Sequence, residues 1–335
     1  MAGDVQLQVG PCTVEEMPAL SDLLDEVFIK ERAGTGTLFN FAPLLYNEAN
    51  VENLRVVRMQ GRIVGHAGIC VRPIRWRGQV LQAGLIGGVC ARQDLRGLGI
   101  GTLAMRDVAE HMAALGLDFG VLWTGSHHFY ERLGWRHAGG LSRVNVAAGE
   151  REVARGMTVA PLAESGVEIA ACHALHAAAM RNEVIRTLDE TVAVTCNREV
   201  LVALHGGELA GYAAVTGSTV RELEGAAEAC VALLAHVARE QDAMAVMPLH
   251  DPRIAPILSS LNAERVTGPL GMCLIVSRES LLGKIEAQLG RPAEQFGVTD
   301  DLDDPAAMQV VFGDHTDPWT GDLPLAIFID YADHV

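Results

Sequence analysis

The sequence predicts an α/β (α+β) chain of two related units. In each, an antiparallel meander leads into a helix, and a short strand closes the chain. Three observations predict this. Residues 87–102, GGVCARQDLRGLGIGT, pass from an apolar run through glycines 97, 99 and 101 into a helical pattern, with Met105, Val108, Met112 and Leu115 on one face and Gly116 as a stop. Before them, strands at 54–59, 63–71 and 80–86 are separated by turns at Gln60-Gly61 and 75–78, which is a hairpin order and not the alternating βαβ of a dinucleotide domain. Finally, GRIVGHA at 61–67 recurs as GELAGYA at 207–213, and the same order of elements follows both copies.

The glycine-rich turn has a definite chemistry. Glycines at alternate positions leave several backbone N–H groups uncovered, and a helix N-terminus adds roughly half a positive charge there. Arg92 and Arg96 can add full charges, so the turn suits a pyrophosphate. A nucleotide P-loop is excluded because Ile100-Gly101-Thr102 offers no lysine. The spacing Gly-x-Gly-x-Gly also departs from the dinucleotide fingerprint.

Composition narrows the class further. The 335 residues are 49% hydrophobic, enough for about two domains. A formal charge of −16 argues against general nucleic-acid binding and favours cationic small substrates by steering, although acidity also serves solubility. The N-terminus has no basic and apolar leader pattern, and no apolar run approaches a membrane span of about 18 residues. The scattered cysteines (Cys12, Cys70, Cys90, Cys172, Cys196, Cys230, Cys273) form no CxxC pair and read as reduced thiols of a cytoplasmic protein. The histidines show no metal spacing, so no metal is expected.

Along the chain, Thr13 is placed to cap a helix through Met17, Leu20, Leu23, Leu24 and Phe28. A glycine- and aromatic-bearing loop (Gly34, Gly36, Phe39, Phe41) follows and is expected to pack on the sheet. Residues 119–123 form a short buried strand. Ser126 is placed to cap a two-turn helix, HHFYERL, that stops at Gly134.

Arg96 to Gly101, in the form Arg-x-x-Gly-x-Gly, resembles the acyl-CoA loop of the GNAT superfamily of N-acetyltransferases. GSHHFYERLGW, at 125–135, resembles that family's second signature, in which a tyrosine on a short helix lies beside the thioester. The resemblance implies a tandem GNAT fold, each half a mixed, mostly antiparallel sheet with flanking helices. It implies acetyl-CoA as the acyl donor, with pyrophosphate on the N–H groups of Gly97, Leu98, Gly99, Ile100, Gly101 and Thr102, assisted by Arg96. The pantetheine arm would bond the backbone of Val89, Cys90 and Ala91, and Gly125 and Ser126 would lie beside the thioester. Tyr130 would protonate the leaving thiolate, since a phenol of pKa near ~10 is close to a thiol's.

The expected division is a catalytic unit at 1–150, a second unit at 151–285 and a tail at 286–335. In the second copy, residues 219–225 stand at the cradle position with Glu222, Glu224 and one glycine, and Pro252 to Pro256 replace the tyrosine helix, so no cofactor is expected there. Residues 291–317 read as a linker with one apolar run, and 323–329, LPLAIFI, as a closing strand. An active and a degenerate unit followed by such a tail resemble the enhanced-intracellular-survival acetyltransferases. There the terminal carboxylate is the general base, which points to Val335. Asp333, His334, His127 and His128 are alternatives. Members of that family carry a sterol-carrier-like third domain, whereas only the fifty residues 286–335 remain here.

The function expected is acetyl transfer to a primary amine of a small cationic molecule. Two other readings fit the sequence: a protein or peptide N-acyltransferase, and a non-catalytic acyl-CoA sensor. Neither nucleic acid nor membrane is an expected partner, and homo-oligomerisation is left open.

Overall fold

A computed structural model describes residues 6–29, 36–151, 156–179, 181–299, 301–316, 325–329 and 333. The first half of the chain runs β1 (Leu7–Pro11), α1 (Met17–Phe28), α2 (Leu38–Phe41), β2 (Leu54–Met59), β3 (Arg62–Trp76), β4 (Gln79–Ala91), α3 (Ile100–Ala114), β5 (Phe119–Leu122), α4 (His127–Glu131), β6 (Arg136–Ala138) and β7 (Leu141–Val146). The second half begins with β8 (Met157–Pro161), α5 (Leu162–Ser165), α6 (Ile169–Ala178), α7 (Leu188–Thr195), β9 (Glu199–His205), β10 (Glu208–Thr216), β11 (Thr219–Gly225) and α8 (Ala227–Val237). It ends with β12 (Ala243–Pro248), α9 (Ile254–Leu261), β13 (Glu264–Gly268), β14 (Gly271–Ile275), α10 (Arg278–Leu289) and α11 (Asp304–Phe312).

These strands make two mixed sheets of seven, ordered β1-β2-β3-β4-β5-β14-β6 and β8-β9-β10-β11-β12-β7-β13. Each has one parallel pair, β4 with β5 and β11 with β12, as the mostly antiparallel expectation required. The orders repeat strand for strand, with one reciprocal exchange. β7 leaves the first unit to lie between β12 and β13, and β14 returns to lie between β5 and β6. Sheet membership therefore crosses the expected boundary at 150 in both directions. The chain turns out at Gly139-Gly140, where Gly139 has φ +68° and a Cβ on Gly140 would approach Leu249 Cδ2 to 2.7 Å.

The first sheet is covered on both faces. Leu20 and Leu24 of α1, Leu281 and Ile285 of α10, and Met308 and Phe312 of α11 pack on one face. Ile100, Ala104, Met105, Val108 and Met112 of α3 pack on the other, whereas Leu115, expected on the same face, is exposed at the helix end. That helix lies close to the sheet. A Cβ at Gly84 would stand 2.7 Å from Met112 Sδ, and one at Gly120 would stand 3.2 Å from Met112 Cε.

Three local expectations are corrected. The apolar run in the supposed linker is a true helix, α11, capped by Asp303 and buried through Ala307, Met308, Val311 and Phe312. The tyrosine helix spans five residues and not two turns, and no side chain caps it, while the Thr124 hydroxyl accepts from the Ser126 N–H. Of the expected closing strand, residues 325–329 are described. They make one bridge, Phe328 with Glu183, and no regular strand.

A buried ionic network joins the two units to the tail. Arg186 donates to Asp333 at 2.6 Å and to Glu222 of β11 at 2.7 Å, and Arg72 of β3 stands 3.6 Å from Asp333 and 2.5 Å from Glu190. His176 faces Glu222, Glu224 and Glu183. His176, Glu222 and Glu224 have metal-ligand spacing, but Tyr212 and Arg186 already engage Glu222, and Arg181 engages Glu224. Burial pushes the Asp333 carboxyl up, but Arg186 and Arg72 outweigh it and hold the group below its usual range.

Removing one partner of such a network strands the other charge. Asp333→Asn is expected to cost about 3–5 kcal/mol in denaturant unfolding. Because the folded value is depressed, the stability Asp333 contributes is complete above the unfolded-state pKa of about 4. It is lost as pH falls from there through the folded value, so the gap between wild type and variant should close in acid.

Candidate active site

The site forms where two parallel strands part. β4 and β5 pair from Ala83 opposite Phe119 to Ile86 opposite Leu122. At their start Asp118 fastens them, accepting from the Gln82 N–H at 2.6 Å and from Lys284 Nζ at 2.6 Å. Beyond Leu122, the Trp123 indole donates to the Leu270 carbonyl at 2.8 Å, which draws this wall toward the exchanged strand β14. β4 instead stays with β3 and bulges. Gly68 faces Gly87 and His66 faces Cys90, so Ala67 alone opposes Gly88 and Val89.

Only glycine suits the bulge. Gly88 has φ +62°, and a Cβ there would overlap the Tyr46 hydroxyl and stand 3.1 Å from His66 Nδ1. The two walls enclose a cleft of about 680 Å³, with Gly88, Val89, Cys90 and Ala91 on one side and Thr124, Gly125 and Ser126 on the other. Phe28, Gly101, Phe129 and Tyr130 complete it. Past Ile86, β4 has no β5 partner, so its backbone on that side can accept an added strand.

At the cleft's edge α3 begins. Gly97 and Gly99 have φ +88° and +78°, and a Cβ on either would meet nothing within 4 Å, so backbone conformation and not space demands glycine. Gly99 is the N-cap, no side chain caps the helix, and no acidic residue lies in the first turn. The N–H groups of Ile100, Gly101 and Thr102 thus open a 15-residue helix with its positive end bare. The Ile100 side chain is buried against Gly65, so Ile100 offers only its backbone. Leu98 is exposed, and so is Arg96. Arg92 is tied to Asp94 by two bonds of 3.0 Å, which offsets the charge expected from it.

Tyr130 stands between these features, on α4. The N–H groups of Leu133 and Trp135 donate to its carbonyl, and its ring meets Phe129 edge-on at 4.8 Å. Burial pushes the phenol up to about 12, against the Thr124 hydroxyl, with Cys90 adding to the rise. The ordinary value of ~10 assumed from sequence is too low, because the ring is 7% exposed. Tyr130 is therefore a neutral donor at physiological pH.

Of the alternatives for a base, His127 and His128 are exposed on the outside of α4 and do not line the cleft; His127 packs against His137, and His128 lies 3.6 Å from Glu131. Asp333 is committed to its arginines. Val335 and His334 lie outside the described residues. Sequence reasoning assigned no site role to Phe28, Tyr46, His66, Gly88 or Thr124. Gly87-Gly88 inside a strand was the one available signal, since glycine there marks a bulge.

The second unit closes the corresponding opening. β11 and β12 pair only at Thr219–Met244 and Val220–Ala245. Arg253 occupies the gap beyond. It donates to the Leu223 carbonyl at 2.9 Å and the Gly225 carbonyl at 3.4 Å, while Asp251 holds it at 2.5 Å. Glu222 and Glu224 are thus not a repulsive cradle, as the sequence suggested, but members of the buried network. No cradle loop exists there, because β11 ends at Gly225 and α8 starts at Ala227.

A mixed sheet splayed at its parallel pair beside a glycine-started helix is the architecture of an acyl-CoA N-acyltransferase. Residues 8–138 match the acetyltransferase (GNAT) domain family. The match is confined to this first unit, and the tandem build as a whole is similar in fold to solved structures of N-acetyltransferases.

Solved structures agree in fold. A probable N-acyltransferase from Enterococcus faecalis V583, a conserved protein of unknown function, is 15% identical with a TM-score of 0.64, over 84% of this chain and 75% of that one. A GCN5-related N-acetyltransferase from Kribbella flavida is 19% identical with a TM-score of 0.61, over 82% and 72%. Eis1 from Mycobacterium abscessus is 14% identical with a TM-score of 0.58, over 82% and 75%. No curated protein matches the chain at a significant level. Among the described residues no helix is long and apolar enough to cross a membrane.

With one opening free and its counterpart filled by Arg253, calorimetric titration with CoA should give one site per chain. A stoichiometry of two would show that the Arg253 side chain yields to the ligand.

Proposed function

We propose that this protein transfers the acetyl group of acetyl-CoA directly to a primary amine of a small cationic acceptor, with Tyr130 as general acid. The observation that supports it best is convergence. The unpaired edge of β4, the bare start of α3 and a buried neutral phenol all border one cleft. Acetyl-CoA fits this set, since the helix start suits a diphosphate and the strand edge suits the amides of its arm, and it supplies the activated acyl group. The N–H groups of Ile100, Gly101 and Thr102 would hold the diphosphate. The backbone of Val89, Cys90 and Ala91 would align the arm, and Gly125 and Ser126 would flank the sulfur.

The chemistry needs two proton movements. An ammonium has no lone pair, so the acceptor must lose a proton before or as its nitrogen bonds the acyl carbon. As the carbon–sulfur bond breaks, Tyr130 can give its phenolic proton to the sulfur. The proposed base is the Val335 carboxylate, on the family resemblance alone. A net charge of −16 supports a cationic acceptor through steering. The second unit, its opening filled, would serve by packing against the first and shaping its cleft.

Tyr130→Phe is expected to lower kcat about 10²- to 10⁴-fold in a thiol-release screen over amines, with CoA affinity retained. With the phenol at about 12, ionisation of the acid should not lower kcat between about pH 7 and about pH 10. A decline in that range would assign the acid elsewhere. Deleting Val335, or adding a residue after it, should each reduce kcat; unchanged turnover in both retires that carboxylate as the base.

A further inference from the structure

We infer that His66 and Tyr46 are positioning residues for acetyl transfer, locking the peptide between Gly88 and Val89 so that its N–H faces the thioester oxygen. This rests on the acetyl-CoA reading above. His66 is fully buried on β3, and its Nδ1 lies 2.8 Å from the Gly88 carbonyl oxygen. A carbonyl can only accept, so Nδ1 carries the hydrogen and Nε2 is a bare acceptor. Burial holds the imidazole down to about 4, against the Gly88 hydrogen bond, so this neutral tautomer persists at neutral pH.

Two polar atoms are left unbonded here. His66 Nε2 and the Tyr46 hydroxyl are both buried without a partner. Leucine and phenylalanine would fill the same space without that cost. The fold nevertheless keeps these groups at the bulge of β4, two residues past its last pairing with β5. The Tyr46 ring is stacked on Phe39 at 4.8 Å, and its hydroxyl takes the space that a Cβ on residue 88 would need. Tyr46 thus braces the bulge from behind while His66 holds its carbonyl.

Peptide geometry supplies the rest. In a trans peptide the C=O and the following N–H point in opposite directions. Tyr46 and Cys90 belong to the core under α1 and α2, and Tyr130 to the core under α3. Fixing the Gly88 carbonyl toward His66 turns the Val89 N–H away from it, toward the side of Tyr130 and the start of α3. When the acceptor nitrogen bonds the acyl carbon, the acyl oxygen gains negative charge, and a fixed N–H stabilises it without reorganisation. The carbon–nitrogen bond forms, the carbon–sulfur bond breaks, and Tyr130 protonates the sulfur. His66 neither gives nor takes a proton.

The test compares wild type with His66→Leu, His66→Asn and Tyr46→Phe. It reads kcat, CoA affinity, and the preference for acetyl-CoA over ethyl-CoA, a thioether without the carbonyl oxygen. In His66→Leu, kcat should fall about 10- to 100-fold. CoA affinity should stay within about twofold, and the preference for acetyl-CoA should disappear. Asparagine places a donor where Nδ1 stands, so His66→Asn should keep most of both. Tyr46→Phe should be at least as stable as wild type, with kcat lowered about threefold or more. Unchanged kcat and preference in His66→Leu overturn the inference, as does a failure of His66→Asn to restore them. Should His66→Leu lose affinity for all three ligands alike through misfolding, full kcat in folded Tyr46→Phe overturns it. If wild type acetylates no amine, the acetyl-transfer reading fails by itself, and the acetyl-CoA to ethyl-CoA preference still decides the role of His66.

Discussion

β4 and β5 stay parallel neighbours only as far as Ile86 and Leu122, because β5 ends there while β4 runs on to Ala91 beside β3. β4 is paired along almost its whole length with β3, and β5 is paired over all four residues with the incoming β14. Asp118 fastens one end of the pair, the Trp123 bond to Leu270 draws one wall away, and the Gly88 bulge bends the other. The cleft is what remains. It needs no special packing, only two strands of unequal reach, the shorter of them held on its far side by β14 from the end of the second unit.

The second sheet repeats this geometry and reaches the opposite result. Its parallel pair also opens early, but Arg253 satisfies the carbonyls that a ligand's amides would otherwise meet. The loop that in the first unit separates strand from helix, residues 92–99, has no counterpart after Gly225. One unit therefore keeps bare backbone and a bare helix end, and the other converts both into internal structure. The exchange of β7 and β14 makes each sheet a structural part of its neighbour, so the filled unit still bears on the open one.

Charge is handled in two ways. At the open cleft the phenol and imidazole are buried neutral, one as a donor and one as a fixed hydrogen-bonding group. Between the sheets, charges are buried in quantity but are mutually compensated, with Arg186 and Arg72 reaching the tail residue Asp333. Buried ion pairs of this kind contribute less to net stability than their Coulomb energy suggests, since desolvation offsets much of it. Their effect is to fix which segments meet: β3, β11 and the tail.

By itself the sequence determined most of what local periodicity and local chemistry govern, the helix at 304–312 and the length of the tyrosine helix excepted. The hairpins, the α3 stripe of Met105, Val108 and Met112, the glycine-started turn and the tyrosine helix were legible because spacing of 2 or 3.6 residues and positive-φ glycines act over a few neighbours. The repeat was legible for the same reason. What only the tertiary structure decided were meetings between distant residues: the exchange of β7 and β14, Arg253 across the carbonyls of β11, the helix 304–312 against β14, and Tyr46 and His66 behind Gly88. The sequence placed Glu222 and Glu224 at a cradle because it aligned them by order, whereas the fold puts them among arginines brought from elsewhere in the chain. Periodicity records which face of an element is buried. It carries no record of what will be packed against that face, and such pairing is settled by long-range complementarity alone.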